Sequence, residues 1–177
     1  EVQALIEYTF RRHGADRPSF ATIVGSGPNA TTLHYNADDR VMQAGDMVVM
    51  DIGASYAGYA ADVTRSVPVS GRFTPEQRAV YQTVRAAQAA AERAAVPGAS
   101  WAAVNQAARD SLAAGLARIG LIESPTATYD CAPPPAAGGP ARQCAQVGLF
   151  YYHGLGHGIG LEVHDPAQFY FGGAIRP

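Results

Sequence analysis

The chain predicts a mixed α/β fold of the α+β type in a single domain of 177 residues. Three observations predict it: helical periodicity at the start, strand-like segments broken by turn residues over positions 21–69, and two alanine-rich helical stretches after them. With 47% hydrophobic residues there is enough apolar chain for one core of ordinary size.

Taken in order, Glu1 to His13 reads as a helix already in progress, with Val2, Leu5, Ile6 and Phe10 on one face. Short strands are expected around Ala21–Gly25 and Thr32–Tyr35. In Met47 to Val69 an apolar run ends at Asp51, Ser55 to Gly58 interrupts it, and strand-like residues resume from Tyr59 to Val67. An antiparallel hairpin is the simplest arrangement. The next helix has Thr74 as N-cap, Pro75 at its first position and Gln77 to complete a capping box; it runs to about Ala95 and stops at Pro97-Gly98. A second helix starts after Ser100 and ends near Gly120. The alanine stripe Ala86 to Ala95 reads as helix packing rather than a binding surface. Residues 122–147 form a Pro/Gly-rich insertion, expected to be an ordered loop or flap, and it holds both cysteines. The spacing of Cys131 and Cys144 suits a disulfide closing a surface loop in an oxidising compartment; two unpaired thiols in a cytosolic protein are the alternative.

Composition narrows the partners. A net charge of -2 leaves no basic footprint for nucleic acid, and no uninterrupted apolar run nears the ~20 residues of a membrane span. All 13 basic residues are arginine and scattered, which reflects compositional bias and not a binding patch. Neither glycine cluster has the G-x-G-x-x-G order, and a chain without lysine has no P-loop, so nucleotide binding is unsupported.

Two segments carry chemistry. His153 to Asp165, HGLGHGIGLEVHD, places three of the five histidines and four glycines in thirteen residues. Each glycine would cost a helix about 1 kcal/mol, so the segment is looped or extended. It reads as the wall of an active site, since imidazole is a common metal ligand and proton carrier; a glycine-rich connection with surface histidines is the alternative. In the second segment, a turn centred between Tyr56 and Ala57 would set Asp51 directly opposite Asp62. Opposed carboxylates repel, and burial raises one pKa unless a cation intervenes. A register slip, or an ion pair with Arg65, would remove that need. Carboxylates and imidazole together suit manganese, cobalt, zinc or iron better than calcium, magnesium or copper.

The pattern D-I-G-x-x-Y-x-G-Y-x-x-D-V-T-R-S, then F-T-P-E-Q-R and the histidine segment, resembles the pita-bread metallopeptidases. Within them it is similar to Xaa-Pro aminopeptidase and prolidase rather than methionine aminopeptidase. The earlier block is matched by Pro18 to Asn29 and Leu33 to Tyr35, so the resemblance fails only between Ile122 and Val147. It implies a mostly antiparallel, curved sheet covered by helices. It also implies two divalent ions, manganese first, with Asp51, Asp62 and His157 as metal ligands and His34, His153 and His164 as catalytic residues on the substrate side.

The implied reaction is removal of an N-terminal residue ahead of proline, or cleavage of an Xaa-Pro dipeptide, by a dimetal-activated hydroxide. A peptide with proline in second position is the implied partner, a homodimer an allowed assembly, and the cytoplasm the implied location unless the cysteines pair. A non-catalytic binding module on the same fold and a creatinase-like C–N hydrolase are the alternatives. Two family glutamate ligands have no counterpart; Glu162 lies where the family places no ligand. The chain is therefore expected to be a fragment, incomplete at the C-terminus, inactive by itself and left with an unpaired sheet edge.

Overall fold

The computed structural model describes residues 1–133, 139–165 and 175. The expected strands beyond Pro177 and the centre of the Pro/Gly insertion lie outside the described residues. Two compact units are present: Glu1–Thr74 with residues 157–165, and Pro75–Gly156 with Ile175.

In the first unit, α1 (Val2–Arg12) leads into β1 (Arg17–Pro18), β2 (Ile23–Ser26) and a 3-10 turn at Gly27–Thr31. Val2, Ile6 and Phe10 are half-buried, whereas Leu5 is exposed, so the expected apolar face is only partly covered. Strands β3 (Met47–Ile52), β4 (Ala54–Tyr56), β5 (Tyr59–Ala60) and β6 (Val63–Pro68) follow. They form two antiparallel sheets, ordered β1-β4-β5 and β2-β3-β6. Burial concentrates on the β2-β3-β6 sheet, where Ile23, Val24 and Val48 are nearly inaccessible.

The expected hairpin register is corrected by two residues. Ser55 pairs with Ala60, Tyr56 with Tyr59, Ile52 with Val63 and Asp51 with Thr64. The turn is Ala57-Gly58, both at positive φ (49° and 84°). Two-residue hairpins favour turns with both central residues in that region, and glycine adopts it without penalty; a turn at Tyr56-Ala57 would have forced tyrosine there instead. Asp51 therefore faces Thr64, not Asp62. A slip of two preserves the alternation of faces, so Asp51 and Asp62 still share one side of the hairpin as diagonal neighbours. Arg65, opposite Met50, points to the other side.

Thr32–Tyr35 is not a strand but a turn, with His34 at φ 55°. The loop carrying it is tied to β2 and β3. Asp38 Oδ1 accepts from the Val24 N–H at 2.9 Å, and Arg40 donates to Ser26 Oγ at 3.0 Å while ion-pairing with Asp46. The Arg40 hydrogen bond, helped by the Gln43 N–H, holds the Asp46 carboxyl below its usual range. A lowered carboxylate pKa contributes stability that is present above the unfolded value, near 3.9, and is lost as pH falls through the folded value. Asp46→Asn should lower the melting temperature at pH 7, and its difference from wild type should shrink in melts taken below about pH 4.

In the second unit, α2 (Pro75–Ala94) and α3 (Trp101–Arg118) pack through small residues, among them buried Ala87, Ala91, Ala108 and Ala113. The Ser100 Oγ caps α3 by accepting from the Ala103 N–H at 3.1 Å. A Cβ at Gly115 would lie 2.5 Å from Cγ2 of buried Thr83, so the helices touch there backbone to side chain. Gly115→Val should destabilise the protein by about 1–3 kcal/mol, measured by denaturant unfolding.

The described part of the insertion is more ordered than a loop. Its β-forming residues make β7 (Thr128–Ala132) and β8 (Arg142–Ala145), an antiparallel pair with a register shift between Asp130 and Ala132. Cys131 and Cys144 form a disulfide across this pair with Cα atoms 5.7 Å apart. Replacing both by serine should cost about 3 kcal/mol, read as the gap between oxidised and variant protein in unfolding titrations.

Candidate metal and catalytic site

Asp51, the penultimate residue of β3, accepts a hydrogen bond from Thr64 Oγ1 across the hairpin at 2.8 Å. This contact orients its carboxylate, and it follows from the corrected register. Asp62 sits between β5 and β6, half-buried, with Oδ2 3.1 Å from His157 Nε2. Burial, then the charge and hydrogen-bond contact of Asp51, raise the Asp62 carboxyl above its usual value; His157 and His164 act in the opposite direction. Two carboxylates are thus held close enough to resist sharing full charge.

The segment from His157 to Asp165 folds back on itself, with the Asp165 N–H donating to the Gly158 carbonyl at 3.0 Å. It docks on β5 through the Ala60 N–H, which donates to the Gly160 carbonyl at 2.8 Å. Docking brings His157 to Asp62. His157 Nδ1 lies 3.0 Å from the Gly158 carbonyl; an Nδ1–H donated there assigns Nε2 as the nitrogen facing the carboxylate. The His164 ring packs 4.1 Å from the His157 ring, centroid to centroid.

A cavity opens beside this group. Asp51, Asp62, His34, Asn36 and His164 supply its polar wall, and Phe20, Ala21, Ile23 and Val163 its apolar one. His34 holds its place in a left-handed conformation that costs a non-glycine residue about 1 kcal/mol or more. His153 belongs to the second unit, where its ring meets Tyr151 and Tyr152 edge-on and Nδ1 lies 2.7 Å from the Gly154 carbonyl.

Among the described residues, no three His, Cys, Asp or Glu side chains enclose a metal ion as they stand, and the contacts of the group are pairwise. The chemistry of the donor set nevertheless fits a divalent cation. Two carboxylates with a neighbouring imidazole match the oxygen and nitrogen preference of such ions, and a cation would relieve the repulsion that raises Asp62.

The sequence profile of metallopeptidase family M24 matches residues 1–176. The chain belongs to metallopeptidase family M24. Xaa-Pro aminopeptidase of Haemophilus influenzae is 37% identical over 169 residues, covering 96% of this chain and 36% of the relative. The Escherichia coli Xaa-Pro aminopeptidase is 38% identical, covering 93% and 34%. Among solved structures, Pseudomonas aeruginosa aminopeptidase PepP superposes with a TM-score of 0.79 at 33% identity, over 99% of this chain and 37% of that one. Zinc-substituted E. coli aminopeptidase P in complex with product gives 0.74 at 34% identity, over 93% and 34%. The chain thus spans about a third of the length of the curated relatives it matches.

For an M24 chain the fold expectation holds: helices with antiparallel strands, similar to the pita-bread aminopeptidase P structures. Divalent metal ions go with the family; which metal does not follow from it. Thr64, Asn36 and Phe20 join the site without having been singled out in the sequence. A threonine two residues after Asp62 and a phenylalanine two residues after Pro18 carry no periodic signal, and only the fold brings them in. No helix among the described residues is long and apolar enough to cross a membrane.

Proposed function

We propose that this chain supplies the catalytic residues of a metal-dependent exopeptidase that cleaves the bond between an N-terminal residue and proline. The observation carrying this reading is the convergence of Asp51, Asp62, His34 and His164 on one cavity, with His157 on Asp62, in a chain similar to Xaa-Pro aminopeptidases. Asp51, Asp62 and His157 would hold the divalent ions, manganese first, with cobalt, zinc or iron as the other candidates. The chemistry supplied there is polarisation of the scissile carbonyl and activation of water.

The remaining roles fall to the chain. Thr64 keeps the Asp51 carboxylate turned toward Asp62. His164 and His34 donate hydrogen bonds to negative charge developing on the substrate, and Phe20, Ile23 and Val163 exclude water beside it. The family resemblance would give His153 a role toward the residue after the cut. The disulfide of the β7–β8 hairpin supports an oxidising compartment for the protein.

Matched peptides test the substrate class. The whole protein, reloaded with manganese after chelation, should cleave Xaa-Pro peptides at least about 100-fold faster than Xaa-Ala peptides in kcat/KM, and chelation should abolish both. Equal rates would remove the proline assignment, and full activity after chelation would remove the metal.

A further inference from the structure

Ser19 touches both strands of the aspartate hairpin. The β1–β4 register, with Pro18 opposite Ala54, carries Ser19 to Gly53, and the Ser19 N–H donates to the Gly53 carbonyl at 2.9 Å. Its hydroxyl donates to the Ala61 carbonyl at 2.6 Å. One residue thereby holds backbone two positions beyond Asp51 and one position before Asp62. The Ala61 carbonyl belongs to the same peptide plane as the Asp62 N–H. Fixing that plane constrains the direction in which Asp62 leaves the chain.

The clip sits where regular pairing is interrupted. Strand pairing stops at Ile52–Val63 and resumes at Ser55–Ala60. Between them the hairpin is held by the Ala61 N–H, donating to the Ala54 carbonyl at 2.9 Å, and by Ser19. Gly53 is buried directly beneath the hydroxyl: a Cβ there would run into Ser19 Oγ and the Ala61 carbonyl. The absence of a side chain at Gly53 is what lets the Ser19 hydroxyl cross from one strand to the other. The segment between β1 and β2, which carries Ser19, takes up a two-residue difference between the β1–β4 and β2–β3 registers, and Phe20 and Ala21 within it line the cavity.

We propose that Ser19 is a positioning residue for the Asp51–Asp62 pair, its hydroxyl setting the spacing at which the two carboxylates take a divalent cation. The proposal rests on the metallopeptidase reading above. Hydrogen-bonding partners that orient ligands are typically worth about 10–100-fold in metal affinity.

The test is calorimetric titration of manganese into the metal-free whole protein, alongside thermal melts without metal. Ser19→Ala should bind manganese about 10–100-fold more weakly while its metal-free melt stays cooperative. Ser19→Thr keeps a hydroxyl and should return affinity close to wild type. Gly53→Ala keeps Ser19 but fills the crossing and should weaken binding as Ser19→Ala does. Wild-type affinity in Ser19→Ala, even with a lowered melting temperature, would show a merely structural residue and overturn the proposal. Should Ser19→Ala not fold, wild-type affinity in Gly53→Ala would overturn it equally. A wild-type protein that takes up no manganese, cobalt or zinc would instead overturn the metallopeptidase reading, and the role of Ser19 with it.

Discussion

Asp62→Ala in the whole protein should abolish stoichiometric manganese or cobalt by elemental analysis and lower kcat/KM by about three orders of magnitude or more. That is the size expected when a Lewis acid supplying several kcal/mol is lost. Asp62 is the residue on which the site turns, because it contacts both the other carboxylate and His157. Stability should move the other way. A half-buried carboxylate whose pKa is raised, by burial first and then by a like charge, destabilises the folded state as pH rises through its unfolded value, so removing it should leave the metal-free protein at pH 7 as stable as wild type or more so. A variant that keeps its metal would remove Asp62 from the ligand set. Loss of metal together with a collapsed metal-free melt would point to a structural role instead.

His164→Ala should lower kcat about 100- to 1,000-fold, the loss typical of one hydrogen-bond donor to developing charge, while metal content stays near wild type. The distinction matters because His164 lies against the His157 ring, so both histidines stand within reach of the carboxylates. Metal analysis separates the roles. Loss of metal in His164→Ala would reassign it as a ligand, whereas a raised KM at unchanged kcat would make it a ground-state binding residue.

The sequence by itself determined the three helices, the hairpin that carries the aspartates, and the segments from which the site is drawn. Thr74-Pro75 and Ser100 mark helix starts at α2 and α3, because capping chemistry is local. The expectation that Asp51 and Asp62 share a face outlasted the corrected register, because the side of each residue depends on parity and a slip of two, unlike a slip of one, leaves parity unchanged. Which residue opposes Asp51 was decided by the turn, where Ala57 and Gly58 both take positive φ and so move Thr64, not Asp62, across from it. Local propensity misled at Thr32–Tyr35, whose β-forming residues turn because Asp38 and Arg40 tie the following loop back to β2. Cysteine spacing left pairing open, and the β7–β8 ladder, by bringing the two Cα atoms to 5.7 Å, decided it. Ser19 was invisible in one dimension for the same reason. Its hydroxyl acts on Ala61, forty-two positions away, and only the close approach of two strands over a glycine brings donor and acceptor together.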